Sequence, residues 1–493
     1  MTGAGSISSE RRPTRRWLPV CLLLGATATS LAWSVQRWWD PRADAAHYIL
    51  VAQSLLRGDG FAVNGQPFTI RPPGMSLLLV PPLAARGVDF GAINLWVSLF
   101  GILATLLLFV EFRDRVGVPL ACLVAALAWL NPELQRLCNG AMSDVPGTAL
   151  ALLAIAVAAW AKRGESPHRD LVTGLAVAAA IHVRASNLAL LPALLLDRLW
   201  PLGRDATARR LLGPAGVLAV VVLLYGPWMV YAARHPTQGD HRVHDYQTAF
   251  LNADSTDPES ARAGTQVLGE RLRANVTFYA AQLGSGLERN EPVARDWAIS
   301  LAVLAALAAV LARRRGVLEW YAWISIAILA VYFTRSPRLL LPVFVLAIGA
   351  VGEAVLIATS RLARPEARVV LAAAVLLAWL GPHLRADFAR AGARAEWDDL
   401  EQAMRRVREV AAPSSRIGGD LGAAYAVLLG RPVEELRGLR RGDEPGDPVE
   451  TIEQRNLDLV IVRTGRGSGR VARRAAQLGK EVDRFGTYAV IRW

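Results

Sequence analysis

The chain has 493 residues, of which 53% are hydrophobic and 20% are charged, and its formal net charge is +13. Such a positive charge can indicate a nucleic-acid-binding protein, but the arginines lie mostly in loops between apolar stretches, where membrane topology accounts for them. We therefore reject a nucleic-acid partner. The three cysteines are scattered along the chain and are too few for a disulfide framework.

Apolar stretches of about 15–22 residues alternate with short Arg-rich loops, which is typical of a multi-span membrane protein. The basic residues 11–16 followed by the apolar segment 17–35 would also suit a signal peptide. We interpret 17–35 as an uncleaved first helix, because ~19 residues at about 1.5 Å each nearly cross a bilayer core. The short apolar segment 74–86 contains Pro81 and Pro82 and predicts an interfacial or re-entrant helix. We predict eleven spans, at about 17–35, 91–111, 118–132, 146–161, 170–183, 186–198, 211–233, 297–312, 317–334, 337–358 and 367–383.

The distribution of arginines predicts the orientation of these spans. The region 170–198 could be one long span interrupted by His182 and Arg184, or two short spans. Two spans place ten arginines on the cytoplasmic side and two in the opposite loop 334–338. One span would invert this ratio, so the positive-inside rule favours two. The ten arginines divide as four, three and three among loops 198–210, 313–315 and 361–368.

This orientation divides the chain into three parts. Residues 1–16 are predicted to be a basic cytoplasmic N-terminus, and residues 17–383 a transmembrane domain with external loops 36–90 and 234–296. Alternating helix and strand patterns over 384–493 predict a small soluble α/β domain outside the membrane. The predicted fold is thus a polytopic all-α membrane protein of about eleven transmembrane helices with a small C-terminal α/β domain. In that domain we predict helices at 397–411, 421–430 and 470–479, and strands near 416–420, 457–462 and 480–492.

The first external loop carries both an acid and a base. Asp44 and Tyr48 are four residues apart and share one face if the segment is helical, although Asp44 could also be a helix-start signal or a solvated loop acid. Arg71 precedes a Pro-Pro-Gly run, which predicts a rigid turn with the arginine near the lipid headgroups, where it could hold a lipid phosphate. Charges are costly near lipid, so both positions are functional candidates.

Two further polar positions fall on the same side of the membrane. Asp144 begins the fourth span, where it or Ser143 could simply cap the helix ahead of Pro146. Arg184 lies between the fifth and sixth spans and could be an ordinary residue of the membrane rim. The convergence of four polar sites on one membrane face favours a common functional site over four unrelated roles.

Two other patterns give weaker indications. Residues 235–245 include three His and two Asp, a set that could hold a metal ion, and we assign none. The Gly-rich run 464–470 imitates a phosphate-binding turn but lacks the Gly-Lys-Ser/Thr ending of a P-loop, so we interpret it as a turn. We predict neither a cofactor nor a metal.

Taken together, these motifs resemble the glycosyltransferase C superfamily of integral-membrane enzymes. The nearest members are similar to the bacterial branch of the dolichyl-phosphate-mannose protein mannosyltransferases and to the lipid A aminoarabinose transferases. The resemblance covers about 17–360 and depends on the order, spacing and sidedness of the motifs. Many relatives have an acidic residue before the basic-Pro-Pro element, where this chain has Ile70, and this makes a bound metal less expected. The matching residues are Asp44 with Tyr48, Arg71-Pro72-Pro73, Ser143-Asp144, His182-Val183-Arg184, and Arg338 with Pro342.

The resemblance implies a role for each matching residue. It implies no nucleotide-sugar site, because the donor would be a polyprenyl-phosphate-linked sugar. The implied roles are catalytic base for Asp44, second active-site acid for Asp144, donor-phosphate binding for Arg71 and Arg184, and substrate binding for Tyr48, His182 and Arg338.

The chemistry of such a transfer is consistent with these roles. Release of a polyprenyl phosphate turns a phosphodiester into a phosphomonoester, so about one negative charge develops where an arginine can stabilise it. The acceptor hydroxyl must lose a proton, and we expect the rim position of Asp44 to raise the pKa of its carboxyl and make it a better base. Direct displacement with one base predicts inversion at the sugar carbon.

The sequence therefore predicts a metal-independent, inverting glycosyltransferase of the bacterial cytoplasmic membrane. It would move a sugar from a polyprenyl-phosphate donor to an envelope acceptor (protein, lipid or glycan) on the non-cytoplasmic face. A transporter or flippase of lipid-linked saccharides would favour charges buried in mid-span and internal repeats, which we do not find. A non-catalytic scaffold of an envelope-assembly complex is a third hypothesis, which only the chemistry of Asp44 would separate from an enzyme.

Overall fold

Helices dominate the computed structural model of the chain. The structure describes residues 20, 23, 25–31, 34–164, 167–200, 208–237, 246–254, 260–288, 291–384, 388–436, 448–464 and 469–493. The helices up to residue 384 are α1 (Ala43–Arg57), α2 (Gly74–Arg86), α3 (Phe90–Val116), α4 (Val118–Trp129), α5 (Pro132–Cys138), α6 (Asp144–Lys162), α7 (Pro167–Val183), α8 (Leu190–Leu199), α9 (Ala208–Arg234), α10 (Tyr246–Leu251), α11 (Thr265–Gly284), α12 (Ala294–Arg314), α13 (Val317–Val331), α14 (Pro337–Ala358) and α15 (Pro365–Leu380).

Six segments among the described residues are long and apolar enough to cross a membrane. They are α3, α6, Leu212–Arg234 within α9, α12, α14, and α15 extended to His383. Helices α4 and α5 meet at an angle of 59° and would form a seventh span if they are one broken helix. The chain is therefore a multi-pass membrane protein, but the predicted count of eleven spans is not confirmed. The predicted span 17–35 lies partly outside the described residues.

The region 170–198 forms two antiparallel helices. A short 3-10 turn, Ala185–Ala189, separates α7 from α8. Near the other end of the pair, Arg198 lies 3.3 Å from Asp170 and Lys162 lies 2.7 Å from Asp197. The chain therefore reverses at Arg184, as the two-span interpretation requires. Helix α8 has only 10 residues, about 15 Å, which is too short to span a bilayer alone.

The segment 234–296, which the sequence analysis predicted to be an external loop, contains helices that it did not predict. Helix α11 is 20 residues long, and α10 precedes it. Arg271 of α11 donates to the backbone oxygens of Phe250 and Asn252, at 2.8 and 2.5 Å. These bonds hold the end of α10 against α11.

The C-terminal region forms a five-stranded sheet with flanking helices. Its strand order is β4-β3-β5-β7-β6, in which β3 pairs parallel to β4 and β5, and β7 pairs antiparallel to β5 and β6. In register, Ile417 pairs with Leu459, and Leu459 with Arg492. The elements are α16 (Phe388–Val410), β3 (Ile417–Gly419), α17 (Gly422–Leu429), β4 (Glu434–Glu435), α18 (Pro448–Gln454), β5 (Leu459–Arg463), α19 (Gly469–Gln477), β6 (Glu481–Phe485) and β7 (Tyr488–Arg492), while β1 (Ala62–Val63) and β2 (Gln66–Pro67) form a separate hairpin.

The sheet region packs onto helix α1. Helix α17 contacts α1, and an aromatic stack connects α16 to the loop before α1. In this stack Trp39 lies parallel to Phe90 with ring centres 5.0 Å apart, and Trp397 meets Phe90 edge-on at 5.5 Å. The C-terminal region is therefore positioned to support the segment that carries Asp44.

Candidate active site

Asp44 lies in the first turn of α1, a helix that is not among the candidate spans. An acid in this place is favoured by the positive end of the helix dipole. Tyr48 follows one helical turn later, and its hydroxyl lies 3.2 Å from the Ser143 hydroxyl at the start of α6. The predicted shared face of Asp44 and Tyr48 is thus present, because the segment is helical.

Two buried asparagines fix the chain that leads into α1. Asn94 of α3 donates to the backbone oxygens of Gln36 and Trp38, at 2.9 and 3.1 Å. Asn139 accepts from the backbone N–H of Gln36 at 2.8 Å and donates to the oxygen of Ser34 at 2.9 Å. A side-chain amide offers both a donor and an acceptor, so these residues hold the loop by its backbone.

Arg71 is brought to Asp44 by the close approach of α2 to the last turn of α7. The Arg71 side chain is 7% exposed, and its Nη2 donates to Asp44 Oδ1 at 2.9 Å. Gly74 begins α2, and a Cβ at this position would lie 2.5 Å from the backbone carbonyl carbon of His182. Only glycine lets the two backbones come this close.

Asp144 is fully buried at the first residue of α6 and lies 2.7 Å from Arg184 Nη1. Neither Ser143 nor Asp144 makes a side-chain cap bond at this helix start, so simple capping does not account for them. Arg184 has extended backbone at the break between α7 and α8. A Cβ on Gly147 would lie 2.8 Å from the Arg184 side chain, so this glycine leaves room for the arginine.

Arg338, the second residue of α14, connects the two acids. Its Nη2 donates to Asp44 Oδ2 at 2.6 Å, and its Nη1 lies 3.8 Å from Asp144 Oδ2. Two carboxylates and three guanidinium groups from distant parts of the chain therefore form one cluster with a net charge of about +1. The sequence analysis proposed all five of these residues, but it did not pair them.

Arg71 and Arg338 reverse the expected shift in the pKa of the Asp44 carboxyl. Burial alone would raise the pKa of the Asp44 carboxyl, but the charges of Arg71 and Arg338 outweigh burial and hold its pKa well below the ordinary value. The predicted rise of this pKa was therefore wrong. The sequence showed a partly desolvated acid, while only the fold shows how many cations surround it.

The cluster opens into a cavity of about 490 Å³. One part of the wall carries Asp44 and the three arginines of the cluster, together with Tyr48, Ser143 and Ser186, and the rest is mostly apolar. The apolar part is formed by Pro72, Val183, Ala185, Leu188, Phe250, Leu251, Ile328, Leu329, Tyr332 and Leu339.

Several of these wall residues were not identified from the sequence. Phe250 and Leu251 come from α10, whose position depends on Arg271, and Tyr332 follows α13. They are ordinary apolar residues, and no local pattern in the sequence distinguishes them from lipid-facing ones.

Two of the predicted site residues, Asp144 and His182, are not part of the cavity wall. Asp144 is fully buried beside Arg184 and Arg338, whereas His182 packs against α9. Its ring lies 5.1 Å from the ring of Tyr225, and its Nε2 is 3.2 Å from the Leu224 oxygen on α9. Of the possible metal ligands at 235–245, only His235 is among the described residues. Within the described part of the chain, no three His, Cys, Asp or Glu residues form a group that could hold a metal ion.

No family model matches the sequence, and no curated protein matches it. Solved structures do match the fold. ArnT from Cupriavidus metallidurans bound to undecaprenyl phosphate superposes with a TM-score of 0.61 at 15% identity, over 96% of this chain and 98% of that one. The archaeal oligosaccharyltransferase AglB from Archaeoglobus fulgidus, in complex with an inhibitory peptide and a dolichol-phosphate, gives 0.55 at 13% identity, over 94% and 71%. The same archaeal enzyme in complex with Zn and sulfate gives 0.56 at 13% identity, over 92% and 69%.

ArnT and AglB are members of the glycosyltransferase C superfamily. The resemblance predicted from the motifs is therefore confirmed at the level of the fold. At these identities the likeness shows the fold alone, so the activity of this chain has to be argued from its own site.

Proposed function

We propose that the chain is an integral-membrane, inverting glycosyltransferase. It would transfer a sugar from a polyprenyl-phosphate-linked donor to an envelope acceptor on the non-cytoplasmic face of a bacterial cytoplasmic membrane. The observation that carries the proposal is the cavity in which Asp44 and Arg71 meet beside an apolar wall. The known binding of undecaprenyl phosphate by ArnT and of a dolichol-phosphate by AglB, which share the fold, supports this donor class.

The geometry suits a donor with a charged head and an apolar tail. The three arginines can attract a phosphate, and the wall around Phe250, Leu329 and Tyr332 suits the isoprenoid chain next to it. A soluble nucleotide-sugar has no apolar tail to place against such a wall. The charges also lie at helix ends, which supports an enzyme at the membrane surface more than a transporter with charges in mid-span.

The reaction can be written with the residues of the cavity. The acceptor oxygen attacks the anomeric carbon, the bond from that carbon to the phosphate oxygen breaks, and the phosphomonoester leaves with the bonding electrons. The acceptor proton passes to Asp44. Arg71 faces the charge that develops on the leaving phosphate, so it stabilises the transition state more than the ground state. Attack opposite the leaving group inverts the sugar carbon.

Donor binding also changes the state of Asp44. A phosphate that accepts hydrogen bonds from Arg71 and Arg338 competes with the carboxylate for the same donors. The pull of the arginines on Asp44 then weakens and its basicity rises at the moment when a base is needed. The resting ion pairs and the proposed role as a base are therefore compatible.

The test compares donors in proteoliposomes that contain the purified protein, with envelope fractions as the source of acceptor. We expect radiolabelled sugar to be transferred from a polyprenyl-phosphate donor, and Arg71→Ala to reduce this by about 100-fold or more. Arg71→Lys should recover part of the loss, because lysine keeps the charge but not the planar fork. Arg57→Ala, at an exposed arginine of the same loop, is the matched control and should transfer normally. Turnover of a nucleotide-sugar alone, indifferent to Arg71, would overturn the proposed donor class.

A further inference from the structure

Arg338 is the only side chain of the described cluster that contacts both acids. It reaches Asp44 at 2.6 Å through one terminal nitrogen and Asp144 at 3.8 Å through the other. Of the other two arginines, Arg71 forms an ion pair with Asp44, and Arg184 forms one with Asp144. The guanidinium of Arg338 therefore lies between two carboxylates that come from helices α1 and α6.

The carboxylate oxygens of Asp144 could accept a further ligand. Asp144 is fully buried, and within the described part of the chain neither of its carboxylate oxygens has a hydrogen-bond partner. Its two contacts with arginine are ion pairs without hydrogen-bond geometry. Two carboxylates that converge in this way from separate elements provide the oxygen ligands that Mg²⁺ or Mn²⁺ prefers.

We propose that Arg338 takes the place of a divalent metal ion between the two active-site acids. Its guanidinium holds Asp44 and Asp144 at one site, neutralises part of their charge and leaves no room for a metal. Because an arginine stays protonated at any physiological pH, the charge of the bridge does not depend on pH and needs no metal from the medium. The inference rests on the proposed active site, but its binding test does not require transfer activity.

The test removes the cation and keeps the length of the side chain. In Arg338→Met the two acids lose their common partner, and the apolar stem is largely preserved. We expect the purified variant to bind Mn²⁺ with a Kd on the order of 0.1–1 mM, measured by electron paramagnetic resonance, while the wild-type protein binds none in the same range. Transfer by the wild type should be unaffected by a chelator. The variant should lose about 100-fold or more of the transfer and recover part of it with Mn²⁺.

Two controls locate the gained site. Arg338→Met combined with Asp44→Asn should bind no Mn²⁺, because one of the two carboxylates is gone. Arg335→Ala, at an exposed arginine three residues earlier, should behave like the wild type in binding and in chelator resistance. The proposal is overturned if folded Arg338→Met fails to bind Mn²⁺ at about 10 mM. It is also overturned if the wild-type protein binds Mn²⁺ between the acids, a result that does not depend on the variant folding.

Discussion

At Asp44, two guanidinium groups keep a carboxylate charged before any substrate is present. Arg71 donates a hydrogen bond to Asp44 Oδ1 at 2.9 Å, and Arg338 donates one to Oδ2 at 2.6 Å. A carboxylate in this state is available to take a proton but is a weak base. In the proposed reaction, its strength as a base depends on how far the donor phosphate draws the two arginines away from it.

This arrangement predicts how stability depends on pH. Because the pKa of Asp44 is lowered in the folded protein, its contribution to stability is present above the unfolded-state pKa and is lost as the pH falls through the folded-state pKa. The difference in Tm between the wild type and Asp44→Asn should therefore be constant from about pH 5 to 8 and shrink only in stronger acid. Thermal unfolding in detergent at several pH values measures this difference.

The same variant reports on catalysis. Asp44→Asn is nearly isosteric and cannot accept the proton, so transfer should fall by about 100-fold or more at every pH. A Tm difference that changes steadily between pH 5 and 8 would contradict the ion-paired state. Transfer within about tenfold of the wild type would remove Asp44 as the base and leave Asp144 as the first alternative.

Helix packing decides where the arginines point. Helix α2 begins at Gly74 against the backbone of His182, and α6 leaves space at Gly147 for Arg184. The break between α7 and α8 turns Arg184 toward Asp144. The contact at Gly74 is with backbone, which cannot adjust as a flexible side chain could, whereas the contact at Gly147 is with the Arg184 side chain.

Gly74→Ala tests this packing. The added methyl group would lie 2.5 Å from a backbone carbon, so α2 must move and carry Arg71 with it. We expect a destabilisation of about 1–3 kcal/mol and a larger loss of transfer than of stability. Gly226→Ala on α9 is the control, because a Cβ there meets nothing within 4 Å, and alanine is a better helix former than glycine. Equal behaviour of the two variants would show that the close contact does not position Arg71.

At the scale of the whole molecule, the charged cluster and the Lys162–Asp197 pair lie at opposite ends of α6. The sheet region packs on α1, at the cluster end. If the positive-inside rule holds, the cluster and the C-terminal region face the non-cytoplasmic side together.

Reporter fusions measure this orientation. A reporter after residue 493 should be active outside the cytoplasm, and one inserted in loop 198–210 should be active inside. The reason is the excess of ten arginines over two among the loops of the later spans. If both reporters faced the same side, the predicted orientation and the placement of the cavity outside would be wrong.

The class of protein and the candidate site residues could be predicted from the amino-acid sequence. The length of the apolar stretches and the distribution of arginines follow from the energetics of burial in lipid. Because these energetics depend on local sequence, the multi-pass architecture could be predicted. The alternating pattern after residue 384 likewise anticipated the sheet region, where predicted strands 457–462 and 480–492 correspond to β5 and to β6 with β7. The motifs around Asp44, Arg71, Asp144, Arg184 and Arg338 were also visible.

The contacts between these residues, in contrast, could not be predicted without the folded structure. The pairing of Arg338 with Asp44 joins positions 294 residues apart, and no local pattern encodes such a contact. The lowered pKa of Asp44, the exclusion of His182 from the cavity and the apolar wall at Phe250 and Tyr332 all depend on distances between helices. Electrostatic and packing energies fall steeply with distance, so the state of the site is set by the folded arrangement and not by the order of residues along the chain.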